Sequence, residues 1–304
     1  MALFERILEI ILPVFIIVAA GYIYARVRGD QAKLDISAVN RVTMDVLCPL
    51  LIFTALAAKD FDIVNNGPLV LAGVLISLGS GLIAWPVARL LGYDIRSFIP
   101  PMMFNNCGNM GLPLAVLAFG AAALPAAVAL FLACTLVYFS VGIKIIEIGR
   151  QDKHTSFFKL LISPIMLSMI LGIAFSALKL SLPAPLFSAL KMLGDTTIPI
   201  MLFGLGMRMI DVSFKSWHIG LAGAVVCPVA GLIVAWLLDG LLPLNTTQRG
   251  QMYLFASLPP AVLCYMVAEQ YKQEPEKVAA IVLLGNLAAL LFVPVGLWMG
   301  LRAG

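Results

Sequence analysis

Charge is what this chain has least of. Only 12% of its 304 residues are charged, against 62% hydrophobic, and the mean hydropathy is +1.02. Soluble domains carry about a quarter charged residues and about half apolar ones, so an ordinary water-soluble fold is excluded. Histidine is nearly absent: His154 and His218 both sit at loop-like boundaries, so no histidine-built zinc or catalytic site is expected. The five cysteines, Cys48, Cys107, Cys134, Cys227 and Cys264, fall within apolar runs and lack CxxC spacing. They read as small packing residues rather than metal ligands or a disulfide framework. Large polar domains, coiled-coil heptads and low-complexity segments are all missing. The net charge of +4 is modest and the basic residues gather at the ends of apolar runs. Membrane topology explains them, and nucleic-acid binding has no support.

The chain does have long apolar runs. Ten spans can be drawn, over residues 5–25, 37–58, 67–91, 97–119, 122–148, 157–179, 185–209, 216–238, 249–270 and 277–300. Their lengths suit transmembrane helices. The first run opens with Glu5, Arg6 and Glu9 and is long for a signal peptide, so it is read as a retained span. The polar connector Gly149–Ser156 divides the chain into residues 1–150 and 151–304, with five spans in each. An odd number per half makes the second half enter the bilayer from the opposite side, so the halves are expected to be inverted. Assigning each Lys and Arg to its nearest loop puts fourteen on one side. Only Arg6, Lys59, Lys179, Lys191, Arg249 and Arg302 fall on the other. That bias predicts both termini on the outer, periplasmic side.

The halves also share motifs. Asp45-x-x-x-Pro49-x-x-x-Phe53 lies in span 2, and Asp195-x-x-x-Pro199-x-x-x-Phe203 in span 7. Span 4 is interrupted at residues 105–113 (NNCGNMGLP) and span 9 at Ser257-Leu258-Pro259-Pro260. Interrupted helices at matching places in two halves point to a midplane binding site of a secondary transporter. Unwound backbone at membrane depth survives only where protein or a watered cavity satisfies it. Pro113 and Pro260 are expected to open the second half-helices, whose free N–H groups would favour an anion. Asn105, Asn106 and Asn109 would add side-chain donors and acceptors.

An aspartate inside the bilayer costs roughly 2.5–3.5 kcal/mol on insertion scales. Asp45 is therefore a candidate for proton or cation coupling. Asp195, near Lys191, is a weaker candidate that would serve equally as a helix cap. Pro49 and Pro199 are expected to shape hinge-facing surfaces. Lys144 and Glu147, at i, i+3, are expected to pair at the interface, and Arg208 to snorkel to the cytoplasmic face.

These residues carry a family resemblance that spans essentially the whole chain. NCGNMGLPL, from Asn106 to Leu114, resembles the broken fourth helix of the auxin efflux carrier family. Asn40-Arg41 followed by Pro49-Leu50-Leu51-x-Phe53 resembles its second helix, and LPPAVLCYMVAEQY, from Leu258 to Tyr271, its ninth. The resemblance implies an all-α membrane protein of ten helices, built as two inverted five-helix repeats. Spans 1, 2, 6 and 7 would form a scaffold, and spans 3–5 and 8–10 a transport domain whose broken helices cross. The wider fold is shared with bile acid/sodium symporters. Carried over by position, the substrate-binding residues are Asn105, Asn106, Gly108, Asn109, Gly111 and Pro113 with Ser257, Pro259 and Pro260. The long hydrophilic central loop of many plant members is missing, which favours a bacterial inner-membrane carrier of a small organic anion over one of auxin itself.

No enzyme activity, metal or cofactor is expected beyond a coupling H+ or Na+; the partners are the lipid bilayer and a second copy in a homodimer. Two rival readings are an intramembrane aspartyl protease using Asp45 and Asp195, and an anion sensor that moves nothing.

Overall fold

The structure is a computed structural model that describes residues 2–29, 31–58, 63–149, 163–209 and 216–302. Their regular structure is helical. The nearest thing to a strand among them is one isolated antiparallel bridge, between Asn105 and Pro260.

Seven of the expected spans are helices long and apolar enough to cross a bilayer. They are α1 (Ala2–Arg28), α2 (residues 31–56), α3 (Ile63–Leu90), α6 (Ala121–Ile146), α8 (Ala184–Arg208), α9 (Trp217–Leu238) and α12 (Pro275–Arg302). The other three differ in kind. Span 4 is two short helices, α4 (Ile95–Met103) and α5 (Cys107–Phe119). Span 9 is likewise split into α10 (Thr246–Ala256) and α11 (Val262–Gln270). Span 6 is α7 (Pro164–Ala177), and residues 157–162 of that expected span lie outside the described residues. So do most of the connector at 149–156, together with His154.

Proline explains several local irregularities. It lacks an N–H, and its ring collides with the carbonyl four residues back. Four residues before Pro49, Pro113 and Pro199 stand Asp45, Asn109 and Asp195, the residues that the motifs single out. In α2 the turn Thr43–Leu47 widens to a π-turn, with the Cys48 N–H reaching the Thr43 carbonyl. In α5 the turn Cys107–Gly111 does the same, with the Leu112 N–H on the Cys107 carbonyl. α8 is interrupted at Thr196, three residues before Pro199. A π-turn moves a carbonyl out of the ring's way without ending the helix.

The helices pack in two groups. α1 lies along residues 197–208 of α8, while residues 48–56 of α2 lie against α7 and the first part of α8. The α1–α8 approach depends on glycine: a Cβ at Gly206 would fall on the Val18 carbonyl oxygen, and one at Gly21 on that of Phe203. In membranes, where apolar burial drives helix association little, such close approach supplies the dispersion contacts that hold helices together. In the second group α3 packs on α4, α6 and α9, and α9 packs on α10 and α12. One large apolar cluster runs through both groups, from Val14 and Leu51 to Leu112, Leu258 and Leu297.

The five cysteines are buried and unbridged. His218 is exposed and stacks on Trp217 at 3.6 Å between ring centroids. Glu147, at the end of α6, accepts from the Tyr271 hydroxyl at 3.3 Å, and the ion pairs described do not include the expected one with Lys144.

Candidate functional site

The two interruptions meet. Phe104 leaves α4 in an extended conformation (φ −127°, ψ 98°), and Ala261 enters α11 in another (φ −72°, ψ 144°). Between them the chains pair as a two-bond antiparallel bridge around Asn105 and Pro260. The Asn106 N–H donates to the Pro259 carbonyl at 2.6 Å and the Ala261 N–H to the Phe104 carbonyl at 3.0 Å. Each unwound segment therefore satisfies the other, which meets the bilayer's demand that no backbone polar group be left dry.

Side chains lock the crossing. The Asn105 amide donates to the Phe255 carbonyl, the last turn of α10. The Asn106 amide donates to Asn286 Oδ1 at 3.0 Å. Asn286, on α12, donates in turn to the Pro260 carbonyl at 3.3 Å and the Val282 carbonyl at 2.7 Å. Asn286 was not singled out from the sequence. It is a lone amide in an apolar run, and only the fold reveals that it faces the bridge. Phe104 stacks on Tyr138 with centroids 4.6 Å apart, closing one flank.

The two prolines behave differently. Pro113 stands in the first turn of the α-helical segment Leu112–Phe119, as expected, but the π-turn Cys107–Gly111 leads straight into that segment, so the half-helix as a whole starts at Cys107. Pro260 does not open α11. It belongs to the bridge, Ala261 is the N-cap and the helix begins at Val262.

The nine residues assigned to substrate divide by what they already touch. Asn106 is 2% exposed and Ser257 is fully buried, with its hydroxyl on the Leu254 carbonyl at 2.7 Å. Pro259 and Pro260 give their carbonyls to the bridge and to Asn286. Gly111 is a packing residue, since a Cβ there would stand 2.8 Å from Leu258 Cδ1 and 3.1 Å from Phe255 Cζ. Gly108 faces Phe131 at a looser 3.2 Å. Asn109 is half-buried and its side chain bonds to no described residue, and Asn105 Oδ1 likewise has no partner. These two amides keep free hydrogen-bonding capacity. The first N–H groups of α11 also lack intrahelical acceptors.

Beside the crossing lies a cavity of about 590 Å³. One wall is α2 and the end of α8, including Ser37, Asn40, Leu205 and Arg208. The other is α11 and α12, including Tyr265, Met266, Val282 and Asn286. None of the nine assigned residues lines it; Asn286 joins cavity to crossing. A smaller cavity of about 450 Å³ lies at the opposite end of α12, beside Gly300, with Arg6, Phe119 and Thr246 among its lining.

The aspartates do not join this site. Asp195 is exposed and paired with Lys191 at 2.7 Å, an ordinary i, i+4 ion pair. Asp45 is exposed in the π-turn of α2 beside Val42, Met44 and Val46, and bonds to no described residue. No hydrogen bond links the two carboxylates, so the shared proton that an aspartyl protease requires has no support. Among the described residues no cluster of His, Cys, Asp or Glu could hold a metal ion. Arg208 lies half-buried on the cavity wall.

Comparison with known proteins agrees with this picture. The profile of a family described as "Membrane transport protein" matches residues 6–158 and 148–297. An uncharacterized transporter of Methanothermobacter thermautotrophicus is 26% identical over 302 residues, covering 95% of this chain and 96% of its own. A protein of Rhizobium meliloti whose name proposes malonate transport is 25% identical over 324 residues, covering 98% and 97%.

Proposed function

The chain belongs to the membrane transport protein family, the auxin efflux carriers, and on that premise we propose that it is a secondary carrier of a small organic anion. The observation that carries this reading is the meeting of two interrupted helices, bonded from Phe104–Asn106 to Pro259–Ala261, beside a cavity of ligand size. Half-helix N-termini turned toward a common point offer N–H groups to a carboxylate without a fixed charge.

The packing supports two inverted five-helix repeats, residues 1–150 and 151–304. Exchanging spans 1 and 2 for 6 and 7 turns the α1–α8 contact into the α7–α2 contact. The same exchange turns α3–α6 into α9–α12 and α3–α4 into α9–α10. Spans 1, 2, 6 and 7 then form a scaffold, and spans 3–5 and 8–10 a transport domain that moves against it. Cavities at opposite ends of α12 fit alternating access from two sides. Pro49 and Pro199, each beside an irregular turn, sit where the scaffold surface would bend. The basic loops support an orientation with both termini on the periplasmic side of a bacterial inner membrane.

An inside-negative potential drives a monoanion outward by about 2.3 kcal/mol per 100 mV. Export therefore needs no coupling ion, whereas uptake needs at least one proton or sodium ion. Asp45, a carboxylate at span depth with no described partner, is the residue suited to carry the proton.

Counterflow in proteoliposomes tests the carrier reading. Internal unlabelled malonate, succinate or another small carboxylate should draw in the labelled anion. Binding without counterflow would make the protein a sensor. Asn109→Ala removes an amide free to meet the ligand, so transport should fall roughly tenfold or more while the melting temperature holds. Unchanged flux would remove Asn109 from the site.

A further inference from the structure

Arg208 is the cavity's single charged lining residue among those described; its other lining residues are apolar or carry neutral amides and hydroxyls. No described carboxylate pairs with it. Its guanidinium instead crosses from the end of α8 to α11, where Nη1 lies 3.5 Å from Met266 Sδ. Thioether sulfur is a weak acceptor, so at most one of the five N–H donors is engaged there, and weakly. A half-buried guanidinium normally gains a carboxylate partner from its own protein. Arg28, Arg96 and Arg249 are ion-paired with Asp35, Asp94 and Asp239, and Arg26, Arg89 and Arg302 lie over aromatic rings.

We propose that Arg208 binds a carboxylate of the transported anion, as a charged recognition residue separate from the neutral crossing. This rests on the carrier reading and deepens it. Three features of the cavity fit the role. Its volume of about 590 Å³ suits a small molecule. Ser37 and Asn40 add a hydroxyl and an amide to the same lining. Asn286 lines the same space while bracing Asn106 and Pro260, so an anion held there adjoins the crossing. Arg208 ends α8 in the group formed with α1, whereas α11 and α12 belong to the opposite wall. The anion would thus be gripped from both sides of the surface along which the two groups slide. A planar fork suits a carboxylate better than a lysine ammonium does.

The rival explanation is a purely topological cation at a helix C-terminus. Arg208→Lys separates the two, because it keeps the charge and loses the fork. The probes are malonate, succinate and acetate, read by counterflow in proteoliposomes and by ligand-induced shift in melting temperature of purified protein. Arg208→Gln should raise KM roughly ten- to a hundredfold and abolish the thermal shift. Arg208→Lys should show a partial but clear rise, and the ligand-free melting temperature of both should match wild type. Asn40→Asp gives a second test that leaves Arg208 in place. Asn40 approaches Gly204, one helical turn before Arg208 on the same face, so a carboxylate there should occupy the guanidinium and raise KM. Wild-type counterflow with unchanged KM in Arg208→Gln overturns the proposal and spares the carrier. If Arg208→Gln does not fold, unchanged KM in Asn40→Asp overturns it equally. A thermal shift lost in Arg208→Gln without counterflow in wild type supports Arg208 and overturns the carrier. If no probe either shifts melting or moves, both readings fall together.

Discussion

Asn105, Asn106 and Asn109 carry the same side chain within one short stretch and meet different fates. Asn106 is buried and committed to Asn286; Asn105 has its donor engaged and its acceptor free; Asn109 is uncommitted. The pattern separates holding the crossing from meeting a ligand. Asn286→Leu should be the destabilising change. It leaves the Pro260 carbonyl and the Asn106 amide short of partners inside the bilayer, each costing about 1–3 kcal/mol. The melting temperature should fall clearly, whereas Asn109→Ala should leave it in place; equal melting of Asn286→Leu and wild type would deny Asn286 its bracing role. The sequence could flag the asparagines at 105–109 because three amides and two glycines together cannot be lipid-facing helix. It could not flag Asn286. One polar residue among Leu, Val and Ala fits any apolar helix, and its significance comes from what lies opposite. For Arg208 the position near a span end is readable but the cavity beside it is not, because the direction of a long side chain is set by neighbours.

Helix starts and stops were less legible than helix existence. The bilayer requires long apolar runs, so hydropathy alone located the seven long helices, most of their ends to within a few residues. The half-helix boundaries turned on a choice that proline leaves open. A proline can open a helix, or lie within one if the preceding turn widens, and at Pro113 the π-turn at Cys107–Gly111 takes the second course. Outside the membrane the start of α4 follows ordinary capping rules. Asp94, in the turn between α3 and α4, accepts from the Arg96 N–H at 2.9 Å and from the Arg96 guanidinium at 2.6 Å. The Gln273 amide reaches both Asp94 Oδ2 and Ser97 Oγ at 3.1 Å, tying the α11–α12 turn to the same cap. The Arg96 guanidinium above all holds the Asp94 carboxyl below the usual carboxylate range. A carboxyl with a depressed folded pKa contributes stability that is fully present above its unfolded value of about 3.9 and fades as pH falls through the folded value. Asparagine caps a helix about as well as aspartate, so Asp94→Asn isolates the charge and should cost about 0.2–1 kcal/mol at pH 7. The difference from wild type should narrow below about pH 4, as the native carboxyl also protonates. A gap that stays constant down to pH 2 would show that ionisation contributes nothing to the cap.

The arrangement of the two helix groups ties packing to transport. The unwound segments are hydrogen-bonded to each other, so the crossing would move as a unit, while the cavity lies between α2 and α8 on one side and α11 and α12 on the other. Motion along that boundary would open and close the cavity without breaking the bridge. The loop charges predict which compartment the cavity faces, and this can be measured directly. All five native cysteines are buried, so the wild-type protein should label weakly with a membrane-impermeant maleimide and provide a quiet background. Ser181 is exposed in the turn after α7, on the side predicted to be periplasmic. Gln270 is exposed at the end of α11, on the predicted cytoplasmic side, to which the larger cavity also opens. Ser181→Cys should label in intact cells with a permeable outer membrane, and Gln270→Cys only after the inner membrane is opened. The reverse pattern would turn the molecule over in the bilayer and make the larger cavity an outward-facing one. Arg208 would then meet the anion on entry from outside, and uptake would become the direction in which its charge draws substrate in.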